Sequence, residues 1–470
     1  MPADWIILKF GGTSVAGRPQ WETIARLAAQ RREAGFRVLL VCSAASGVTS
    51  ALSALADNPG DTGALADIDL RHRRLARELE VDAEACLAEA QKRIRAALGR
   101  LADGDSLAPR ADLLATGEWL STQLGAAFLR QRLPVSWADA REALQVVDEP
   151  DLSPVRRWLS ATCQPGADPG LARRWSQLEP VVITQGYAAR DEEGRTRVLG
   201  RGGSDTSAAL LGGRLNADRV EIWTDVPGLF SADPRRVPQA RLITRLGYDE
   251  ALEMASNGAR VVHPNAIRAA QVTCTPLRVL DTTRPELPGS LIARHIDPVP
   301  GVKAITCQAD MIVLLLRKRD HRREVGFLAR VFEIVGRHGI SVDLVSTSET
   351  TTSVAINGAA NHVDAAGLQG LVSDLESQCA VTVHRRCACV NLVGREVRTA
   401  LANLTGALAL FRDHPLLMLS QSANDQCLSL LVKAGADEEL MRRAHAILIP
   451  GPEDSGGVFG PAWADLEGVV

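Results

Sequence analysis

Residues Gly200–Ser207 read Gly-Arg-Gly-Gly-Ser-Asp-Thr-Ser, and the four residues that follow are apolar. The three glycines allow the backbone to approach a ligand closely and to adopt positive φ angles. A helix that begins here would present unpaired N–H groups to an anion, and Arg201 adds a planar cation suited to carboxylate or phosphate. The segment therefore predicts an anion-binding loop that leads into a helix. A glycine turn with Asp205 as an ordinary N-cap explains the same residues.

A second glycine loop follows the first predicted strand. Trp5–Phe10 is a short apolar run typical of a buried strand, and Gly11 and Gly12 end it. Lysine is rare in this chain, with five lysines among 53 basic residues. Lys9 beside these glycines therefore indicates a phosphate cradle with one compact ammonium. A tight strand–helix turn with a solvated lysine is the alternative. The loop is neither a Walker A motif nor a dinucleotide-binding fingerprint.

Strands and helices alternate through the first part of the chain. Arg37–Val41 predicts the second strand, and the hydroxyl-rich segment Cys42–Thr49 follows it. This strand–helix–strand spacing predicts a parallel sheet, whose ligand-binding loops lie beyond the carboxyl ends of the strands. Glu118 lies near a predicted helix start, where the helix dipole alone favours an acidic residue.

A group of polar and aromatic residues follows a later strand. Thr224 and Asp225 end that strand, and Phe230 and Arg235 follow them. An apolar wall, polar groups and a cation suit an adenine and a phosphate. Arg260 adds a further cation before the next predicted helix.

The pattern changes after Pro298. Segments in the order βαββαβ fill about 302–385, and a weaker copy follows with a predicted helix over 396–411. An internal repeat behind an α/β domain predicts paired ligand-sensing modules. A two-lobed dimerisation domain without an effector is the alternative. Residues 450–470 lack periodicity and predict a linker or disordered tail.

Composition limits the class of protein. A chain of 470 residues predicts two to four domains, and its net charge of -3 gives no support for nucleic-acid binding. The sequence contains neither a membrane-length apolar run nor a secretory signal. The nine cysteines form no Cys-x-x-Cys pair, which favours reduced cysteines, a cytoplasmic location and no side-chain metal site.

Three motifs in order carry a family resemblance. Lys9–Val15, Gly200–Asp205 and Trp223–Gly228 together resemble aspartate kinase of the amino-acid kinase superfamily. Gly326–Leu328 and Ser341–Glu349, within the repeat, resemble its lysine-sensitive subgroup. The resemblance implies an α/β fold, with a three-layer αβα kinase domain around a mainly parallel open sheet and two α+β ACT regulatory modules behind it. The implied divisions are a catalytic domain at 1–295, ACT modules at 302–385 and 386–449, and a linker or tail at 450–470.

The resemblance also implies a reaction. ATP and L-aspartate would give 4-phospho-L-aspartate and ADP, with Mg²⁺ on the nucleotide, as the first step toward lysine, threonine and methionine. L-lysine would inhibit through the ACT modules, with L-threonine as a second candidate effector, and the modules would pair chains into a homodimer. Some relatives are fused to diaminopimelate decarboxylase, so the tail is also a candidate junction of such a fusion.

The family pattern assigns roles to residues of this chain. Lys9 would neutralise the transferred phosphoryl group, and Asp205 would organise the catalytic charges. Arg201 would bind a carboxylate of the substrate and Glu118 its α-ammonium. The further aspartate contacts are Ser43, Thr49, Tyr187 and Ser204. The nucleotide contacts are Gly11, Gly12, Ser14, Thr224, Asp225, Phe230, Arg235 and Arg260. The regulatory residues are Gly326, Phe327, Leu328, Val342, Asp343, Ser348 and Glu349.

Two other functions stay open at this point. One is an amino-acid kinase that acts on glutamate or a nucleotide. The other is a catalytically silent amino-acid sensor built on the repeat, against which the full set of Lys9, Arg201 and Asp205 argues.

Overall fold

Apolar runs of five or six residues form the central strands, because a strand covered on both faces of its sheet buries successive side chains. The computed structural model describes residues 4–104, 106–318, 325–361, 363–403, 409–412, 414–451 and 456–467. The strands are β1 (Trp5–Phe10), β2 (Arg37–Cys42), β3 (Val135–Trp137), β4 (Val181–Gln185), β5 (Ala188–Arg190), β6 (Thr196–Val198), β7 (Arg219–Thr224), β8 (Leu229–Phe230), β9 (Arg241–Ile243), β10 (Arg245–Leu246), β11 (Leu277–Asp281), β12 (Ser290–Ile292), β13 (Gly301–Arg317), β14 (Leu344–Thr347), β15 (Thr351–Asn357), β16 (Ala380–Arg395), β17 (Leu416–Gln421), β18 (Cys427–Lys433) and β19 (Phe459–Ala462).

The helices lie between these strands and vary widely in length. They are α1 (Arg18–Glu33), α2 (Val48–Asp57), α3 (Thr62–Leu79), α4 (Glu84–Ala102), α5 (Leu107–Arg130), α6 (Pro154–Leu159), α7 (Pro169–Ser176), α8 (Gly203–Arg214), α9 (Tyr248–Ser256), α10 (Pro264–Thr273), α11 (Phe327–Arg337), α12 (Ala365–Glu376), α13 (Ala400–Asn403), α14 (Asp437–Leu448) and α15 (Trp463–Glu467). Short 3-10 helices lie at Gly12–Val15, Ala140–Glu142, Val397–Thr399 and Ala409–Arg412.

The chain divides into two compact units. The first holds the residues up to Leu229, Thr244–Leu252 and Arg260–Ile296, and the second holds Phe230–Ile243, Glu253–Ala259 and the residues from Asp297 onward. Of the described helices, none is long and apolar enough to cross a membrane. The nine cysteines are free.

An eight-stranded sheet forms the centre of the first unit. Its strand order is β10-β12-β11-β7-β1-β2-β4-β3, and the neighbouring strands are parallel except for β11 and β12. Leu8 and Phe10 pack with Trp21 of α1 on one face, while Ile7 lies beside Gly212 of α8 on the other. Helices therefore cover both faces of β1. The predicted α/β class with a mainly parallel sheet is confirmed.

A six-stranded antiparallel sheet forms the centre of the second unit. Its order is β14-β15-β13-β16-β18-β17. Val331 of α11 and Leu371 of α12 pack against Leu314 of β13 in one buried cluster. This part of the chain has the α+β architecture that the repeat predicts.

The two longest strands extend beyond the pieces that the sequence predicts, which are Met311–Leu316 for β13 and Ala380–Val383 with Cys389–Val393 for β16. β13 and β16 pair over most of their length, with register shifts between Gln308 and Met311 and between Met311 and Val313. Asp310 and Arg386 have positive φ angles of 58° and 52° at this irregularity. β16 runs through residue 386, where the sequence pattern divides the repeat.

One predicted helix consists of short separate pieces where the structure describes it, and one predicted tail has structure. Over 396–411 the described residues form two short 3-10 helices and α13, while 404–408 lie outside the described residues. Within the predicted linker or tail, β19 pairs antiparallel with β9. The ring of Trp463 stands edge-on to Phe230, with centroids 5.3 Å apart. A four-residue strand and a five-residue helix are too short to produce a readable period in the sequence.

Candidate active site

Lys9 points from β1 toward the first turn of α8. Side chains alternate across a strand, so Lys9 shares the face of Ile7, which α8 covers. The Nζ atom of Lys9 lies 2.6 Å from Oδ1 of Asp205, and the two side chains are only 11% and 13% exposed. The helix dipole favours a carboxylate in this first turn. Because Gly202 is the N-cap and α8 begins at Gly203, the alternative of Asp205 as the N-cap is wrong.

The loop after β1 packs against the loop after β2. A Cβ atom on Gly12 would lie 2.8 Å from the carbonyl oxygen of Ala44, which leaves no room for a side chain. Gly11 lies beside the Lys9 ammonium, and a Cβ atom there would be 3.5 Å from Nζ. Ser14 is buried in the following 3-10 helix, with its hydroxyl 3.4 Å from that of Thr282. The carboxyl ends of neighbouring parallel strands thus bring these loops together, as such a sheet predicts.

The second glycine loop turns tightly between two aromatic side chains. Gly200 and Gly202 have φ angles of 70° and 65°, in the left-handed region that favours glycine. A Cβ atom on Gly202 would lie 2.3 Å from Cγ of His263, and one on Gly203 would lie 2.5 Å from Cδ2 of Tyr187. The glycines are needed here both for backbone conformation and for close packing.

Glu118 lies in the interior of α5, not near its start. The helix begins at Leu107, so the interpretation of Glu118 as a first-turn residue favoured by the dipole is wrong. Glu118 is buried, and its Oε1 accepts a hydrogen bond of 2.5 Å from the Ser204 hydroxyl at the start of α8. Its Oε2 is also buried and accepts no hydrogen bond of ordinary geometry from the described residues.

Burial raises the pKa of Glu118 to about 7. The Ser204 hydrogen bond, the Lys9 charge and the N–H groups of Gly186 and Ala44 oppose this rise. A carboxyl group whose pKa lies near 7, and whose Oε2 has at most weak contacts with these N–H groups, can receive a cationic hydrogen-bond donor, which would hold it ionised.

Tyr187 follows β4 and adjoins the same carboxylate. Its φ angle is 64°, and its N–H donates to the Ser207 hydroxyl at 2.9 Å. Burial and the nearby Glu118 charge raise the pKa of the Tyr187 phenol. Arg201 is exposed on the glycine loop, close enough for its charge to lower the pKa of His263 alongside burial.

The remaining predicted aspartate contacts lie on the loop after β2. The N–H of Ser43 donates to the Phe10 carbonyl at 3.0 Å, and its own carbonyl accepts from the Ser121 hydroxyl of α5 at 2.7 Å. Thr49 lies half-buried in the first turn of α2. The structure therefore ties Ser43 to both β1 and α5.

The predicted nucleotide contacts fall in both units. In the first unit, Thr224 ends β7, its hydroxyl lies 3.2 Å from an Asp225 oxygen, and its carbonyl accepts from Thr282 at 2.8 Å. Arg260, also in this unit, is exposed.

Phe230 and Arg235 belong to the second unit. Phe230 is buried against Trp463, and Arg235 is an exposed side chain paired with Asp233 at 2.8 Å.

The predicted regulatory residues lie on two segments of the second unit. Gly326 is the N-cap of α11 with a φ angle of 83°, and the buried Phe327 begins that helix. Asp343 precedes β14, and its Oδ2 accepts from the Asn357 N–H at 2.6 Å. The Asp343 side chain is exposed, and partial desolvation by its neighbours raises its pKa, against the effect of this hydrogen bond. Leu328, Val342, Ser348 and Glu349 are half-buried or exposed.

Sequence reasoning missed several side chains that hold the site together. Thr282, Ser207 and Ser121 each fix a loop through a hydroxyl group, and His263 packs on Gly202. Thr282 could have been predicted from the sequence, because it directly follows β11 and so lies at the same sheet edge as the predicted loops. No group of three or more His, Cys, Asp or Glu within the described ranges could hold a metal ion.

Comparison with known proteins gives the family. A family model described as the amino acid kinase family matches residues 4–281. The chain belongs to the amino acid kinase family. Among its members, lysine-sensitive aspartokinase 3 of Escherichia coli K12 is 32% identical over 460 residues, which covers 95% of this chain and 99% of that protein.

Two solved structures extend the similarity to three dimensions. E. coli aspartokinase III in complex with aspartate and ADP has a TM-score of 0.80 at 30% identity, covering 95% of this chain and 100% of that one. The same enzyme in complex with lysine and aspartate has a TM-score of 0.74 at 31% identity, covering 95% and 99%. The resemblance that the three motifs indicate is thus confirmed.

Proposed function

We propose that this chain is an aspartate kinase, which transfers the γ-phosphoryl group of ATP to the side-chain carboxylate of L-aspartate. The observation that carries the proposal is the Lys9–Asp205 ion pair next to the buried Glu118–Ser204 pair, at the meeting point of β1, α5 and α8. The named relatives support it, since aspartokinase III binds aspartate and ADP. The products are 4-phospho-L-aspartate and ADP.

Lys9 and Asp205 serve the transferred group. Phosphoryl transfer needs positioning and charge stabilisation and no covalent enzyme intermediate. The Lys9 ammonium, held in place by Asp205, faces the negative charge that develops on the phosphoryl oxygens. Because both side chains are mostly buried, this interaction is stronger than in water and requires little reorganisation.

Glu118 and Arg201 orient the substrate by binding its positively and negatively charged groups, respectively. The unused, buried Oε2 of Glu118 accepts from the α-ammonium of aspartate, and the exposed Arg201 binds a carboxylate in its planar fork. Ser43, Thr49, Tyr187 and Ser204 supply the surrounding polar contacts. The side-chain carboxylate of the substrate is then directed toward Lys9.

The nucleotide is bound by the glycine loop after β1 and by polar and charged residues that follow later strands. Gly11 and Gly12 offer backbone N–H groups beside the Lys9 charge, and Ser14 adds a hydroxyl from the 3-10 helix that follows. Thr224, Asp225 and Arg260 form the other nucleotide contacts of the first unit. Mg²⁺ binds to the ATP phosphates, where it neutralises charge, and takes no ligand set from the side chains of this chain.

The second unit carries the regulation. Lysine binds around the start of α11 and the segment before β14 and inhibits the kinase, with threonine as a candidate second effector. The names of the relatives support lysine as the effector. ACT modules that share β13 and β16 would pair chains into a homodimer, and the free cysteines fit a cytoplasmic enzyme.

A substrate panel tests the function. Coupled detection of ADP release is measured with aspartate, glutamate and UMP, each at the same ATP concentration. We expect turnover with aspartate and little with the other two. Preferred turnover of glutamate or UMP would assign another reaction of the superfamily. Lysine binding without any ADP release would identify a silent sensor.

A further inference from the structure

A cavity of about 350 Å³ lies in the first unit, apart from the residues assigned to phosphoryl transfer. The residues around the beginning of α1, the loop after β2 and the second half of α3 line this cavity, which is open to solvent on one side. Its lining combines apolar surface with six polar or charged side chains. They are Gln20, Ser46, Arg71, His72, Arg74 and Glu78.

His72 gives this cavity an unused acceptor. The side chain is 1% exposed, and its Nδ1 lies 2.7 Å from the carbonyl oxygen of Ile68 in the same helix. A carbonyl only accepts, so Nδ1 carries the proton and Nε2 is a bare acceptor. Nε2 has no hydrogen-bond partner among the described residues. Burial lowers the pKa of His72 and keeps the ring neutral. A buried acceptor left without a donor is costly, which indicates that a ligand supplies one.

Two guanidinium groups give the same cavity free donors. Arg71 pairs with Asp67 through Nε at 2.7 Å, and Arg74 pairs with Glu78 through Nε at 2.9 Å. A guanidinium carries five N–H donors, so each pair leaves the outer nitrogens for another acceptor. Nη1 of Arg71 reaches over Gly47, where it would lie 3.1 Å from a Cβ atom. The side chains of Arg71 and Arg74 are 50% and 77% exposed, so their outer nitrogens are open to a carboxylate.

The wall also excludes a simple anion. Glu78 places a carboxylate beside Arg74, and Nε2 of His72 carries a lone pair without a donor. Both repel a ligand that carries only negative charge. A molecule with a cationic donor at one end and a carboxylate at the other satisfies all four side chains.

We propose that this cavity binds a small α-amino acid, whose ammonium donates to His72 Nε2 and Glu78 and whose carboxylate accepts from Arg71 and Arg74. Its walls include Gly17, which follows the 3-10 helix of the cradle, and Ser46, which lies between Ser43 and Thr49. A bound amino acid would therefore stabilise the two loops that meet at Gly12. The proposal concerns binding alone and does not depend on the kinase assignment.

The test compares binding in matched variants of the full chain. Each standard L-amino acid, and inorganic phosphate, is titrated calorimetrically onto the unchanged chain, His72→Phe, Arg74→Gln and the control Arg77→Gln. Arg77 is an exposed residue of α3 whose guanidinium contacts a backbone carbonyl of the helix. Any amino acid that binds elsewhere binds equally to all four proteins.

We expect at least one L-amino acid to show a binding event that His72→Phe and Arg74→Gln each weaken about tenfold or more, as for the loss of one charge-assisted hydrogen bond, while Arg77→Gln preserves it. Arg74→Gln keeps the test valid should His72→Phe fail to fold, which thermal unfolding reveals. Identical binding in all four proteins would overturn the proposal, as would phosphate producing the affected event.

Discussion

The two units present their predicted functional side chains in opposite ways. In the first unit, Lys9 pairs with Asp205 and Glu118 with Ser204, and these side chains are largely buried. In the second unit, the predicted regulatory residues from Val342 to Glu349 are half-buried or exposed, and they lie in or beside β14, an edge strand of its sheet. The first unit therefore pairs its charged side chains in buried positions, whereas the second unit leaves its polar side chains close to solvent.

Sheet topology explains the difference. Parallel strands all end at one edge, so residues distant in sequence converge there and can fix one another. The edge strand β14 instead offers one contiguous stretch of chain, which suits a binding site that responds to ligand concentration. The comparison teaches that changes in the first unit should act on turnover or substrate affinity, whereas changes near β14 should act on the effector response alone.

The largest effect should follow loss of the Lys9 charge. Lys9→Ala removes the cation that faces the transferred phosphoryl group and leaves Asp205 without its ion-pair partner. We expect kcat to fall by about 10²–10³, roughly 3–4 kcal/mol, as for the loss of one transition-state donor. Steady-state kinetics measure this, with Lys92→Ala as a control because that lysine is 81% exposed. Near-normal turnover of Lys9→Ala would remove the assigned role.

A smaller effect should follow loss of the Glu118 charge. Glu118→Gln keeps an oxygen for the Ser204 hydroxyl but offers no negative charge to the substrate ammonium. We expect kcat/KM for aspartate to fall about 10–100-fold, mostly through KM, since a hydrogen bond to a charged group contributes about 1.5–3 kcal/mol. KM for ATP serves as the internal control and should be unchanged. An equal loss in both KM values would contradict a contact specific to aspartate.

The raised pKa of Glu118 also predicts a pH dependence. Below pH 7 the buried carboxyl is largely protonated in the free enzyme, so binding the ammonium requires its ionisation. KM for aspartate should therefore fall about tenfold per unit as pH rises toward 7, and level off above it. The substrate carboxylates titrate well below this range. In Glu118→Gln the slope should vanish, and its persistence there would assign the titration to another group.

A side chain at Gly202 should strain the glycine loop and lower kcat/KM about tenfold. Gly202→Ala places a Cβ atom against the His263 ring and forces a left-handed φ on alanine, which costs about 1–2 kcal/mol before any clash. We expect kcat/KM to fall about tenfold. The double variant Gly202→Ala, His263→Ala should recover the part due to the clash and keep the part due to the backbone. No recovery in the double variant would mean that the ring does not limit the loop.

The sequence predicts the centre of the first unit well, and it predicts the contacts of the site poorly. Runs such as Trp5–Phe10 define strands because they are apolar at every position, a signal that needs no knowledge of neighbours. Glu118 was misplaced near a helix start because α5 begins earlier, at Leu107, where the Ser106 N-cap makes no side-chain hydrogen bond. Its true environment depends on Ser204, which is 86 residues away.

The second unit shows a different limit of prediction. The sequence predicts one short piece of β13 and two of β16, yet both strands are continuous through Asp310 and Arg386. Both residues have positive φ angles, yet neither is the glycine that signals this conformation most strongly: aspartate is a weak signal for it, and arginine gives none. The bends that join the pieces are therefore invisible in composition, because tertiary packing imposes them.

The smallest effect on catalysis should come from a substitution in the second unit. This substitution tests most directly whether the two units divide catalysis and regulation between them. Asp343→Asn removes a charge from the predicted lysine site but keeps an oxygen for the Asn357 N–H. We expect the lysine concentration for half-inhibition to rise about five- to tenfold, within the usual range of allosteric coupling, while kcat without lysine changes less than about twofold. Inhibition curves with lysine and threonine measure this, with Asp374→Asn as a control, since that exposed carboxylate pairs with His338. A fall in kcat without lysine would show that this segment supports turnover itself, and the division between buried, paired charges for chemistry and exposed groups for regulation would not hold.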